Sequence, residues 1–261
     1  MSAVCGMSAA GCDRFRLMGM AKYKRHDAPG AVFHVTGRVN WQEWHLARGG
    51  ACPLVWDELE ASSEAFGVSV LAAVLMSNHF HLVAMSPDAD RYRRLTSRVT
   101  SSRHRRAYPV GHCNATVLAQ FMRRFRRTVS VRLHRRLDVT GRFWERRYHA
   151  RRVKDPWDLT VTTAYDHRNP VRARMVRKPE DYEWSTAAWW GGVGDARAPR
   201  VVRLPFDLEI PALRDEVLRY QSTRALDEAI AELNRTGVAW HSEEGRALLA
   251  SMGVATTLTA A

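Results

Sequence analysis

The sequence predicts an α+β fold, and three observations lead there. Short apolar runs of strand length, rich in Val, Leu and aromatic residues, recur in the first half of the chain. They alternate with longer segments in which apolar residues return every three or four positions. Gly, Pro, Ser and Asn fall between them as punctuation. In chain order these segments read β, α, β, β, α, β, the order of a ferredoxin-like split βαβ sheet. Helices are expected on one face of that sheet, with a small helical appendage at the C-terminal end.

Each element has its own reason. "AVFHVTGRV", residues 31–39, is a strand by its branched and aromatic content. In 53–66, Val55, Leu59 and Phe66 share a helical face and Gly67 follows as a stop. "VSVLAAVLMS" and "HFHLVAMSP" are two apolar strands that meet at Ser77 and Asn78, which is turn chemistry and predicts a hairpin. A helix is expected over about 89–102 and another over about 116–137. In the second, Val117, Phe121, Phe125, Val129 and Leu133 fall at i, i+4 spacing while arginines occupy the other faces. A fourth strand lies within "GRFWERRYHARRV", 141–153. Asp155 then suits an N-cap and Pro156 the first helical position, so a helix begins there, and Pro170 is expected to end or kink it near Asn169. The resulting division is a disordered or loose arm over 1–28, a main domain over 29–190, a Gly-, Pro- and Arg-rich linker over 191–206, and a helical region over 207–261.

Composition narrows the function. With 46% hydrophobic residues in 261 the chain can bury a real core. No apolar run reaches the roughly 18 to 20 residues that span a bilayer, and the four cysteines show neither CxxC spacing nor a secretory context. A cytoplasmic protein with reduced thiols is the expectation. The formal charge is +13, and between Arg91 and Arg152 there are 19 arginines against two acids, Asp138 and Glu145. A genome biased toward arginine codons explains Arg in place of Lys, but not this crowding. Guanidinium forks fit phosphate oxygens and each phosphate contact releases counterions, so nucleic acid is the leading partner. Arg123, Arg124, Arg127, Arg146, Arg147, Arg151, Arg152 and Arg172 are the candidate contacts.

Two small constellations carry chemistry. His79 and His81 in "LMSNHFHLVAM" fall on one face of a strand, because side chains alternate with period two. With 11 His in the chain, chance supplies about 0.5 such pairs, so the spacing alone says little. Tyr165 and Asn169 lie four residues apart on the helix that begins at Asp155 and share a face. Taken singly, the histidines suit strand-end hydrogen bonding, Tyr165 suits packing, and Asn169 before Pro170 suits a turn. His34 and His149 fall near the pair on neighbouring strands, where structural roles are expected. No Walker loop, HExxH or GxSxG motif occurs, which removes several enzyme classes.

Taken together, "FHVTGR" at 33–38, "LMSNHFHLV" at 75–83, "GRFWERRYHA" at 141–150 and "AYDHRNPVRARMV" at 164–176 resemble the HUH endonucleases. The chain looks most like the single-tyrosine transposases of bacterial insertion sequences, particularly the REP-associated tyrosine transposases. The matches extend over roughly 30–190. The resemblance implies that His79 and His81 hold a divalent ion, Mg²⁺ or Mn²⁺, with Asn169 as third ligand one helical turn past the tyrosine. It implies that Tyr165 attacks single-stranded or hairpin DNA and forms a 5′-phosphotyrosine, which makes the chain a single-strand endonuclease and strand transferase. Phosphodiester exchange lets a strand be rejoined without nucleoside triphosphates. A tyrosine hydroxyl ordinarily titrates near pH ~10, so the scissile phosphate must be made more electrophilic. Expected alongside are a cytoplasmic, nucleoid-associated setting and a monomer, with a homodimer as the other arrangement. The turn after the first strand departs from the family pattern, and from about 200 onward nothing matches. Two other functions fit the same residues: a non-catalytic or domesticated protein that binds repeat or hairpin DNA, and a hydrolase that uses water.

Overall fold

Alternation along β1 (Val32–Arg38) separates Phe33 and Val35, which enter a core, from His34 and Thr36 on the opposite side. A computed structural model of the chain describes residues 27–101, 116–192 and 210–254. They fall into two compact units, residues 27–222 and 223–254. The expected N-terminal arm up to position 26, and the expected linker from position 193 onward, lie outside the described residues.

In the larger unit four strands make one sheet in the order β2-β3-β1-β4, with every neighbouring pair antiparallel. β2 (Ser69–Leu75) and β3 (His79–Met85) form the hairpin expected at Ser77 and Asn78, closed by Met76 N–H donating to the His79 carbonyl at 2.8 Å. β4 (His149–Arg152) is a short edge strand beside β1. In register, Thr36 lies opposite His81 and Arg38 opposite His79. Gly37 faces Phe80, where a Cβ would come within 2.5 Å of the ring, so only glycine fits beneath it.

One face of the sheet is covered by α1 (Ala51–Phe66) and α3 (Val117–Leu137). The five apolar residues expected on one face of α3 are all fully buried, and Phe125 meets Phe80 edge-on at 5.4 Å. The start of α3 is fixed by Thr116, whose hydroxyl accepts from Ala119 N–H, and by the Asp27 carboxylate, which accepts from Leu118 N–H at 3.0 Å and Ser86 Oγ at 2.6 Å. Burial pushes the Asp27 carboxyl up. The preceding helix, α2 (Ala89–Ser101), contacts α3.

The second face corrects one expectation, since helices lie on both sides rather than on one. α4 (Pro156–Arg172), α5 (Ala187–Trp190) and α6 (Ile210–Gln221) cover Leu71, Ala72 and Val83 through Leu159, Trp190 and Val217. The cause lies in β2, where every residue from Val70 to Leu75 is fully buried. A strand apolar on both faces needs two covers.

α4 starts as its sequence predicts, with Asp155 capping Asp158 N–H at 2.9 Å and Pro156 opening the first turn. It does not end at Pro170 but continues to Arg172. Pro170 has no N–H for the Asp166 carbonyl, and the Asn169 side-chain amide donates to that carbonyl at 3.2 Å. The smaller unit is built from α7 (Ala225–Thr236) and α8 (Glu243–Ser251), with Leu226, Ala229, Ile230 and Leu233 buried along one face of α7 and Ser242 capping α8. Among the described residues no helix is long and apolar enough to cross a membrane.

Candidate active site on the α4 face of the sheet

The sheet face that α4 covers is apolar at one end and polar at the other. Val83 belongs to the apolar part, and two residues earlier on the same face β3 presents His81, then His79 at its start. β1 adds His34, whose register partner is Val83. α4 lays Asp166 against this row. The Asp166 carboxylate is fully buried, and its Oδ1 lies 3.1 Å from His34 Nε2 and 3.0 Å from His81 Nδ1, with the two nitrogens 3.3 Å apart. Burial alone raises a carboxyl pKa, but the imidazoles of His34 and His81 outweigh it and hold Asp166 below the usual carboxylate range. An ionised carboxylate only accepts, so both imidazoles direct N–H groups at Oδ1.

His79 lies edge-on to His81 at 5.1 Å between ring centroids, and its Nδ1 is 2.7 Å from Asn78 Oδ1. Burial first, then the charges of His81, Arg38 and Arg172, push His79 down to about 3, with Asp166 opposing. It is a neutral imidazole at physiological pH. The Tyr165 ring sits 6.2 Å from His81, edge-on, and the Arg172 guanidinium lies 4.5 Å from the centre of the tyrosine ring. Asn169 is 9% exposed, and its Oδ1 is 3.5 Å from Arg172 Nη1, at the limit of a hydrogen bond.

Contacts link His79 to His81, His81 to Tyr165, Tyr165 to Arg172 and Arg172 to Asn169. The buried trio of possible metal donors is a different set, His34, His81 and Asp166. Sequence reasoning named neither His34 nor Asp166 as a site residue. α4 is buried over 158–164 and 166–170, so no apolar stripe in the sequence singles out Asp166 as the residue that meets the histidines.

The arginines divide. Arg123, Arg124 and Arg127 line a groove of about 570 Å³ on α3, in the layer that covers the opposite sheet face, together with Phe66, Gln120, Thr128 and Val131. Arg146, Arg147 and Arg152 are exposed, as is Arg172 over the tyrosine. Arg151 is not available in the same way. Its guanidinium pairs with the buried Asp158 carboxylate at 2.6 Å and donates to Thr162 at 2.8 Å, which ties β4 to α4. Arg151 thus has a structural role in joining β4 to α4.

The chain shares its fold with a solved transposase. A REP-associated tyrosine transposase bound to a REP hairpin matches with a TM-score of 0.50 at 15% identity, over 71% of this chain and 99% of that one. No family model and no curated protein matches the sequence. At this identity the transposase shows the α+β architecture with its four-stranded antiparallel sheet, and the chemistry must be argued from the residues themselves.

Proposed function

We propose that this chain is a metal-dependent, single-strand DNA endonuclease and strand transferase of the HUH type, built on a ferredoxin-like split βαβ sheet. The observation that carries the reading is the contact of Tyr165 with His81, which also touches His79, and with the Arg172 guanidinium. The likeness to a transposase fold supports it, as does the excess of arginine.

The residues fit a divalent ion. His81 is held through Nδ1 by a buried carboxylate, the arrangement that orients metal-ligating imidazoles and leaves Nε2 as the nitrogen that would face an ion. His79 is neutral and adjacent, and Asn169 supplies an amide oxygen whose nitrogen is already engaged. These three would hold the ion, Mg²⁺ or Mn²⁺, and a bound ion there supplies Lewis-acid polarisation of the scissile phosphate. A second assignment rests on a specific observation. His34 Nε2, His81 Nδ1 and Asp166 Oδ1 are mutually 3.0 to 3.3 Å apart, and Asp166 Oδ2 is buried without a hydrogen-bond partner among the described residues. In that assignment the ion replaces the two imidazole protons.

In either case the chain's own part is the same: Tyr165 Oη attacks phosphorus, the O–P bond to the phenol forms, the bond to the 3′ oxygen breaks, the phenolic proton passes to solvent water, and solvent water returns a proton to the departing oxygen, which leaves as a 3′-hydroxyl. Arg172 adds positive charge beside the reacting phosphate. The DNA is single-stranded or hairpin in form and is held by exposed arginines. The test is covalent capture. Wild-type protein with Mn²⁺ and a labelled single-stranded hairpin gives a protein–DNA adduct on a denaturing gel, and Tyr165→Phe gives none while binding the same DNA within about twofold. An unchanged adduct in Tyr165→Phe overturns the assignment. Calorimetric titration with Mn²⁺ separates the two ligand sets, because His79→Ala abolishes the binding heat under the first and leaves it under the second.

A further inference from the structure

β1 leads into a loop that displays two tryptophans. Trp41 is 85% exposed and Trp44 65%, the highest values among the large hydrophobic residues described. Single apolar residues on a surface need no explanation, but two indoles within four positions make a patch. The backbone beneath them is strained. Trp41 has φ 55° and Gln42 φ 57°, two consecutive left-handed residues without glycine, each costing roughly 1 kcal/mol or more. No burial of the Trp41 indole offsets that cost.

The conformation is nevertheless pinned. Asn40 N–H donates to the Phe143 carbonyl at 2.8 Å, Asn78 Nδ2 donates to the Gln42 carbonyl at 3.1 Å, and Leu46, 1% exposed, plugs the loop with its N–H on the Ser77 carbonyl. The rings are thus presented on a pre-organised support. Val39 N–H bonds the Asn78 carbonyl and Arg38 is the register partner of His79, so the loop stands at the His79 end of the sheet. Glu145 N–H bonds the Arg38 carbonyl and Val39 bridges Trp144, which brings a segment with exposed Arg142 and Arg146 alongside.

Flat apolar faces among guanidinium groups match one chemistry well, the unpaired nucleobases of a single strand. Every base has a π-face, and the surrounding arginines take the phosphates between bases. A paired duplex buries its base faces within its own stack. We propose that Trp41 and Trp44 form a stacking platform for unpaired bases of the DNA strand on which Tyr165 acts. The platform rests on the function proposed above, for it names the form of the strand that enters that site.

The experiment uses fluorescence anisotropy of full-length protein with labelled oligothymidylate of about a dozen nucleotides, and with its duplex on oligoadenylate. The double variant Trp41→Ala, Trp44→Ala loses about tenfold or more in affinity for the single strand and stays within about twofold on the duplex. The double variant Trp41→Phe, Trp44→Phe recovers most of the loss. Each single Ala variant loses part of it, and these carry the measurement should the double variant melt early. Unchanged single-strand affinity in the Ala variants overturns the platform, and so does an equal loss on duplex. Adduct formation is scored separately. A wild type that makes no adduct yet loses single-strand affinity on removal of the indoles retains the platform and loses the nucleophile. An adduct with unaffected affinity does the reverse.

Discussion

One buried carboxylate oxygen, Asp166 Oδ1, serves two imidazoles, and this sharing sets the residue-scale behaviour. Asp166→Asn keeps the volume but replaces the charge with an amide that presents one acceptor and a donor. Loss of a buried charge-assisted pair costs about 1 to 3 kcal/mol, and urea unfolding of the apo protein measures it as a lowered midpoint at unchanged slope. An unchanged midpoint contradicts the geometry. His167, the next residue, faces away from this cluster. It donates from Nδ1 to Gln221 at 2.8 Å and accepts at Nε2 from the Thr186 hydroxyl at 2.9 Å. Burial pushes it down to about 4, with the Gln221 bond and Asp166 opposing. Between the ordinary histidine pKa of 6.5 and that value, the unfolded chain takes a proton that the folded chain refuses. Stability therefore falls as pH drops through this window, at up to about 1.4 kcal/mol per pH unit for this group. His167→Gln flattens that part of the urea-midpoint profile. A profile as steep as wild type would remove His167 as its source. The legibility of the site follows the same line. The strand face shared by His79 and His81 and the helix face shared by Tyr165 and Asn169 were readable because fixed periods place them. His34 and Asp166 were not, because their role comes from a helix laid across a sheet, and no local period encodes that crossing.

Among the elements, α4 shows how a side chain repairs a backbone. Pro170 withholds a hydrogen bond from Asp166, and Asn169 supplies one. Asn169→Ala should cost about 1 to 2 kcal/mol. In Pro170→Ala the restored N–H makes Asn169 redundant, so the double variant loses less than the sum of the two single changes, and a double-mutant cycle reads the difference. Additivity would mean that the Asn169 bond does not stand in for the missing one. α3 is the plainer case: Phe125→Ala opens a cavity between Phe121 and Phe80 and costs about 3 to 5 kcal/mol by chemical denaturation. Both helix starts were legible, Asp155 with Pro156 for α4 and the i, i+4 run for α3. The end of α4 was not, since a proline reads as a stop unless its neighbour's side chain is known to serve the freed carbonyl.

At the scale of the whole molecule, the α+β class and the β2–β3 hairpin were legible and the layering was not. β2 carries an unbroken apolar run, and such a run means burial on both faces, yet only the positions of α5 and α6 in space show what forms the second cover. The +13 charge is likewise a global quantity with a global consequence. Single-strand affinity should fall log-linearly with salt, with a slope near −0.7 for each phosphate neutralised, and Arg172→Ala should lower the magnitude of that slope by about one phosphate equivalent. A slope unmoved by that substitution places Arg172 outside the DNA path. Cys52 offers one more measurement. Its thiol, driven up to about 11 chiefly by burial, donates to the Leu46 carbonyl at 3.0 Å, beneath the loop that carries Trp41 and Trp44. That hydrogen bond ties the 9%-exposed thiol to the loop, so lifting of the loop should speed its alkylation. Its labelling rate, followed at Cys52 by mass spectrometry, is therefore a clock for loop opening, and a strand seated on the tryptophans slows it.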